Sequence, residues 1–375
     1  MRLLYIGTDI YKVDSGASHV NLRNLSILKA RFGNDFVSLE PQHCKTFCGF
    51  LNWGGDKVFL SRLQNVLQNQ HFDYIFLSQS LLGTVAKKIK SIYPQIRIIC
   101  FFHNIEVQYA KEYVRTSGIL HLPFYFSAKS AEAKVVEYSD YYIVLNERDG
   151  FCLKDIYAKQ VSLILPISFE DKYDESKVNK KILQTELDII YLFVGVAFFA
   201  NVQGILWFIN NVLPYIPGRL VIVGKGMEEY EQRFKSSCER IEVYGFVDDL
   251  SFFYYKANVV VSPILSGGGM KTKTAEALMY GKTIIGTKEA FEGYVLDEKA
   301  MKLCSNAQEF IDTALCLIKN NECTVFNPYS RNLYKTFYSK EAVSDLLNIF
   351  FNKLDNSVYN ARREKNSGQC LNACL

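Results

Sequence analysis

No stretch of these 375 residues reaches the roughly 18 apolar positions that a membrane-crossing helix needs. The amino-terminal "MRLLYIGTDIY" meets Asp9 too early to form a secretory apolar region, so the expectation is a cytoplasmic protein. A large excess of one charge sign is also lacking. A net charge of +4 leaves no broad basic footprint, so nucleic acid is not an expected partner and any anion site is local. Paired cysteine signatures are missing as well. Ten cysteines are scattered, and Cys44/Cys48 and Cys370/Cys374 lack the second half of a zinc site. Free thiols in a reducing compartment are expected, with no metal and no bound cofactor.

Three nucleotide motifs are absent too. Gly7 leads into Thr8, Asp9 and Ile10, and "VGKGMEEY" places Glu229 where a third glycine belongs, so no G-x-G-x-x-G of a dinucleotide oxidoreductase is present. There is no Walker A sequence and no Asp-x-Asp clamp for a metal-bound nucleotide sugar.

What is present is a well-packed chain, 49% hydrophobic and 22% charged, too long for one ordinary core. Short continuous apolar runs at 3–7, 36–39, 74–78, 96–102, 141–145 and 161–165 read as parallel strands covered on both faces. Helix-period segments at 22–32 and 128–139 lie between them. A polar stretch follows, and the pattern restarts with runs at 189–195, 220–224, 241–244, 259–262, 283–286 and 301–304. The division expected is a Rossmann-like domain at 1–170, a linker at 171–185, a second Rossmann-like domain at 186–337, a helix at 338–355 and a polar tail at 356–375. Ligands of such sheets bind beyond the carboxyl ends of the strands, in the cleft between the domains.

The segment "SPILSGGGMKTKTAEALMYGKTIIGT" (262–287) carries the clearest chemistry. A strand ends, Gly267, Gly268 and Gly269 make a loop, and a helix opens at Met270, Lys271 and Thr272. Unpaired N–H groups of a first helical turn form an anion site, glycines let the anion approach the main chain, and Lys271 and Lys273 add charge. A phosphate or diphosphate fits, and Glu276 stands where a carboxylate meets paired hydroxyls such as those of a ribose. The plain alternative is a solvated loop with Lys273 and Glu276 as a surface pair.

These pieces resemble a family. "YLFVGVAFFANVQGILWFINNVLP", "LVIVGKG", "IEVYGFVDDL", "GGGMKTKTAEALMYGKTIIGT" and "EAFEG" look in order and spacing like the donor domain of GT-B glycosyltransferases of the group 1, or family-four-like, type. "FFHNIEVQYA" and "SDYYIVLNERD" resemble the acceptor half more loosely. The resemblance implies an α/β fold of two Rossmann-like domains whose parallel sheets face a cleft. It also implies a metal-independent, retaining, hexosyltransferase-like enzyme that moves a sugar from a nucleotide sugar, as co-substrate, to a glycan or lipid-linked acceptor in cell-surface polysaccharide or glycolipid synthesis. By the same resemblance Gly195 faces the donor phosphates, Gly245, Phe246 and Val247 border the base, Glu276 binds the ribose, and His103 points across the cleft at the donor sugar.

There are two departures. The family's E-x7-E pair is broken, because Gly268 occupies the position of the first glutamate, and the Arg/Lys pair of the first loop is missing from "VGVAFFANVQG". Lys271 and Lys273 are expected to replace that charge, with Lys225 as a third candidate. A non-catalytic nucleotide-sugar-binding partner of another transferase, or an epimerase on the same fold, are the alternatives these departures leave open. A further expectation is peripheral contact with the inner membrane face through 45–63, where Trp53 mixes with Lys45, Lys57 and Arg62.

Overall fold

A computed structural model describes residues 1–7, 16–41, 53, 55–177 and 189–372, with side chains for all of these except 16, 117 and 357–372. Lys45, both residues of the Cys44/Cys48 pair and positions 178–185 of the expected linker lie outside the described residues.

The first half alternates β1 (Leu3–Ile6), α1 (Gly16–Phe32), β2 (Phe36–Leu39), α2 (Lys57–Asn69), β3 (Tyr74–Leu77), α3 (Gly83–Ile92), β4 (Arg97–Phe102), α4 (Glu106–Ser117), α5 (Leu122–Tyr138), β5 (Tyr141–Val144), α6 (Glu147–Tyr157) and β6 (Leu163–Ile164). The second alternates β7 (Ile190–Val194), α7 (Phe199–Asn211), β8 (Arg219–Val223), α8 (Glu231–Lys235), β9 (Ile241–Tyr244), α9 (Ser251–Lys256), β10 (Val259–Ser262), α10 (Thr272–Met279), β11 (Thr283–Gly286), β12 (Met301–Leu303) and α11 (Ala307–Lys319). Two helices close the chain, α12 (Pro328–Leu333) and α13 (Lys340–Asn372).

Each half holds one six-stranded sheet, ordered β2-β1-β3-β4-β5-β6 and β12-β11-β10-β7-β8-β9, with every pair parallel. The runs LLYI, YIFL and VVVS are buried at every position, as strands sandwiched between two helical layers must be. All twelve strands fall on the apolar runs of the sequence, with ends displaced by a residue or two.

Strand order reverses between β1 and β3 in one sheet and between β7 and β10 in the other. At such a point adjacent loops diverge to opposite faces and leave a crevice.

The closing helix returns to the first half. Arg31 donates to Asn348 and Asn352 at 3.0 and 2.9 Å, and Phe32 packs edge-on against Phe351 with ring centres 5.1 Å apart. α13 runs on through the stretch expected to be a polar tail, where "NARREK" offers good helix formers and no proline.

Trp53 is half-buried. It packs edge-on against Phe124, 5.7 Å away, and its Nε1 donates to Ser127 at 3.0 Å, while Phe59 and Leu63 of α2 are core residues. The mixed stretch at 45–63 is thus, where described, a core helix and its flank, with Lys57 and Arg62 on the outer face.

Candidate active site

β10 ends at Ser262, and the loop after it turns into α10 with no side-chain cap at Lys271; Thr274 N–H donates to Lys271 O and Ala275 N–H to Tyr294 Oη, which leaves the N–H groups of Thr272 and Lys273 for another acceptor. The three glycines do different things. Gly267 and Gly269 have φ of +153° and +63°, in the region closed to most side chains, and a Cβ at Gly269 would sit 2.6 Å from Asn104 Oδ1 of the other half. A Cβ at Gly268 would make only ordinary contact with Tyr109 and Asn104, at 3.8 and 3.9 Å. Gly268→Ala is therefore expected to leave stability near wild type. Gly269→Val should cost about 1–3 kcal/mol in urea unfolding, because a β-branched residue is forced into the left-handed region against Asn104.

Lys273, on the first turn of α10, points under the loop after β7. Its Nζ donates to Asn201 Oδ1 at 2.6 Å and lies 4.4 Å from the centre of the Phe193 ring, and a Cβ at Gly195 would be only 3.0 Å from it. Among the described residues no carboxylate pairs with this ammonium. Burial, then repulsion from Lys271, lowers its pKa to about 7. A desolvated cation held by an amide and a ring, at the crevice of the second sheet, is a ready partner for an anion.

Lys271 lines the cavity and is already paired. Its Nζ donates to Glu289 at 2.7 Å and to the carbonyls of Gly269 and Gly268 at 2.8 and 3.3 Å, so its charge is spent on bracing the glycine loop. Glu289 and Glu292 also receive Arg148 of α6 at 3.1 and 3.5 Å, an ion-pair cluster that ties the two halves together. Lys225 is exposed and has no place on the cavity wall.

Glu276 sits one turn beyond Lys273. Burial raises its carboxyl to about 7, against the opposing pull of Lys172, the nearby Tyr254 hydroxyl and Lys273. Gly245 lies where a Cβ would be 2.7 Å from the Glu228 carboxylate, and Phe246 beside it is 69% exposed, an open aromatic surface at the rim of the second half.

On the opposite side β4 delivers "HNIE" at its carboxyl end. His103 Nε2 lies 2.9 Å from both Ser78 O and Asn21 Oδ1. A backbone carbonyl only accepts, so Nε2 carries the proton and Nδ1 is the acceptor. Burial lowers the imidazole to about 4, which keeps it neutral. His103 can accept from a hydroxyl but does not supply a positive charge at neutral pH.

A cavity of about 670 Å³ separates the halves. From the second half it is lined by Phe198, Phe199, Asn201 and the continuous run Ser266 to Lys273, which includes Gly267, Gly268, Gly269, Met270, Lys271 and Thr272. From the first half come Asn104, Arg148, Asp149 and one face of α4. His103, Gly195, Gly245, Phe246, Val247 and Glu276 lie outside this lining. Asn201, Phe198, Phe199, Arg148 and the α4 face are cavity residues that the sequence reading passed over. Asn201 stands in "VGVAFFANVQG", the loop whose lack of Arg and Lys was noted, and an amide was the signal available there.

Residues 188–320 match the family model Glycosyl transferases group 1, which covers the second half of the molecule. Sucrose-phosphate synthase from Thermosynechococcus elongatus superposes with a TM-score of 0.73 at 15% identity, over 95% of this chain and 99% of that one. HepE from Anabaena, solved in complex with UDP-glucose, superposes at 0.67 with 12% identity, over 95% and 100%. The chain has the GT-B fold. Both GT-B neighbours are matched along nearly their whole length, so the likeness extends over both domains. A curated relative, an uncharacterized 44.6 kDa protein in the cps region of Klebsiella pneumoniae, is 22% identical over 291 residues, 72% of this chain and 68% of that protein.

Proposed function

We propose that this GT-B protein transfers a sugar from a nucleotide-sugar donor to a hydroxyl of a glycan or lipid-linked acceptor, with retention of configuration and without a metal ion. The observation that carries the reading is Lys273, a buried lysine with no carboxylate hydrogen-bonded to it among the described residues, at the sheet crevice and the start of α10. The UDP-glucose in the HepE structure and the cps-region relative support a nucleotide-sugar donor and a surface polysaccharide product.

In this reading the donor diphosphate lies between Gly195, the Gly267–Gly269 loop and Lys273. Glu276 takes the ribose hydroxyls, Gly245 to Val247 border the base, and neutral His103 accepts from a hydroxyl of the donor sugar. The bond from the anomeric carbon to the diphosphate oxygen breaks with its electron pair going to the diphosphate, where Lys273 and the α10 N–H groups meet the growing charge. The acceptor oxygen bonds to the anomeric carbon and its proton passes to the leaving diphosphate. Lys271 holds the loop that frames these groups.

Nucleoside diphosphates tested by thermal shift provide the first check. One of them should stabilise the protein, by about 2.7 kcal/mol at 100 times its Kd, and Lys273→Met should shrink the effect. With the matching nucleotide sugar, release of diphosphate that requires an acceptor supports transfer. Binding without any release favours a non-catalytic partner, and a changed sugar without acceptor favours an epimerase.

The proposed acceptor side includes a bilayer contact, to which the tip after α4 adds a second exposed apolar patch beside the stretch at 45–63. Ile119, Leu120 and Phe126 are 74, 89 and 61% exposed, with Lys111, Arg115 and Lys129 on the surface nearby in sequence. Replacing Ile119 and Leu120 with Glu should reduce sedimentation with phosphatidylglycerol vesicles severalfold, and equal sedimentation would count against this contact.

A further inference from the structure

α4 presents two unlike faces. Val107 and Ala110 are buried against the first domain, whereas Gln108, Tyr109, Glu112, Tyr113 and Thr116 line the cavity. These five positions recur at helical spacing along one stripe, so the helix turns its aromatic rings toward the cavity and its small apolar residues toward the core. Tyr109 and Tyr113 lie with rings parallel within 8° and centres 6.4 Å apart. Tyr113 is backed by His121 at 4.6 Å and Phe124 at 6.0 Å, which fixes its orientation. Tyr109 is the ring that would touch a Cβ at Gly268, so the aromatic strip begins directly opposite the glycine loop.

We infer that this face of α4 is a subsite for an uncharged sugar ring of the acceptor. Flat rings offer an apolar surface for the C–H face of a pyranose, and Gln108, Glu112 and Thr116 offer acceptors and donors for its hydroxyls. Among the described residues, this side of the cavity offers a phosphate no unpaired cation. Glu112 and Asp149 are carboxylates, and the guanidinium of Arg148 is engaged by Glu289 and Glu292. Arg115 pairs with Glu112 at 3.5 Å and does not line the cavity. The sugar that receives the new bond therefore meets α4 through an uncharged ring, and any phosphate of a lipid-linked acceptor lies outside this stripe. The subsite deepens the transferase reading and rests on it for the word acceptor, while its chemistry stands on the α4 face alone.

The test is saturation-transfer NMR with methyl β-glucoside, methyl β-galactoside and glucose 6-phosphate, each with UDP in excess so that the donor side is filled. Wild type should show transfer to the ring C–H protons of at least one methyl glycoside, and weaker transfer to glucose 6-phosphate. Tyr109→Ala, and Tyr109→Ala with Tyr113→Ala, should weaken glycoside binding about tenfold, whereas the Tyr109→Phe, Tyr113→Phe pair should retain it. Because Tyr109 faces the cavity, its single variant should keep the wild-type melting temperature. Undiminished glycoside signals in the alanine variants, no glycoside signal with wild type, or tighter binding of the phosphate ester would each overturn the subsite. UDP affinity is measured alongside, because Tyr109 also faces the glycine loop: the alanine variants should lose glycoside binding by more than UDP binding, and equal losses would overturn a separate acceptor subsite. Failure of wild type to bind UDP would count against the donor reading, and glycoside binding would still report on α4.

Discussion

Lys273→Ala is expected to lower kcat by about a hundredfold or more, as happens when a preorganised charge-stabilising donor is lost. The charge on the diphosphate oxygen grows as the glycosidic bond breaks, and Lys273 is the one buried ammonium of the glycine-loop region without a carboxylate partner among the described residues. Stability should move the other way. Holding a cation at Phe193 and Asn201, with burial outweighing the attraction of Glu276, disfavours the folded state, so Lys273→Met should raise the melting temperature while it removes turnover. The pH dependence follows from the same displacement. Its folded pKa of about 7 lies below the ordinary 10.5, so between these values the folded chain binds fewer protons than the unfolded one. Wild-type stability should gain from this group as pH rises across that window, and the gain should be absent in Lys273→Met. A variant that keeps both wild-type turnover and the pH-dependent gain would contradict the role.

Glu276→Gln should act mainly on donor binding. Ribose hydroxyls change little between ground and transition state, so their loss weakens the donor complex and leaves kcat close to wild type. The expected loss is on the order of tenfold or more in affinity, in the range for a hydrogen bond to a charged group. Donor affinity in wild type should improve as pH rises from about 5 to 7, because Glu276 titrates near 7 and only its ionised form accepts from both hydroxyls. Titration calorimetry of UDP against both proteins checks this. A kcat loss in Glu276→Gln matching that of Lys273→Ala would mean the carboxylate acts on the reacting centre instead.

The strands were legible because parallel strands under two helical layers are apolar at every position, and an unbroken run such as "VVVS" announces itself without knowledge of its neighbours. The glycine loop was legible for a related reason, since local chemistry set it against a helix start. Lys271 was not. Its fate depends on Glu289, eighteen positions on, and on Arg148 in the other domain, contacts that only the assembled cleft creates. His103 was placed correctly at a strand end, but its charge state depends on Ser78 O and on burial, neither visible along the chain. Trp53 has the composition of an interfacial residue, and its edge-on packing against Phe124 is a contact the chain does not announce. The aromatic face of α4 could have been found. "EVQYAKEYVRTS" has two stripes, one small and apolar and one carrying tyrosines, and the second has no core to enter.

The most direct test of the central claim, that Lys273 is the cation for a donor diphosphate, is the number of protons taken up when UDP binds. It is read by calorimetry near pH 8 in two buffers of different ionisation enthalpy. At that pH the empty site holds Lys273 mostly neutral, and an anion beside it restores the charge. Wild type should take up about one proton per UDP bound and Lys273→Met about none. Equal uptake by the two proteins, or UDP binding by wild type without uptake, would contradict the account.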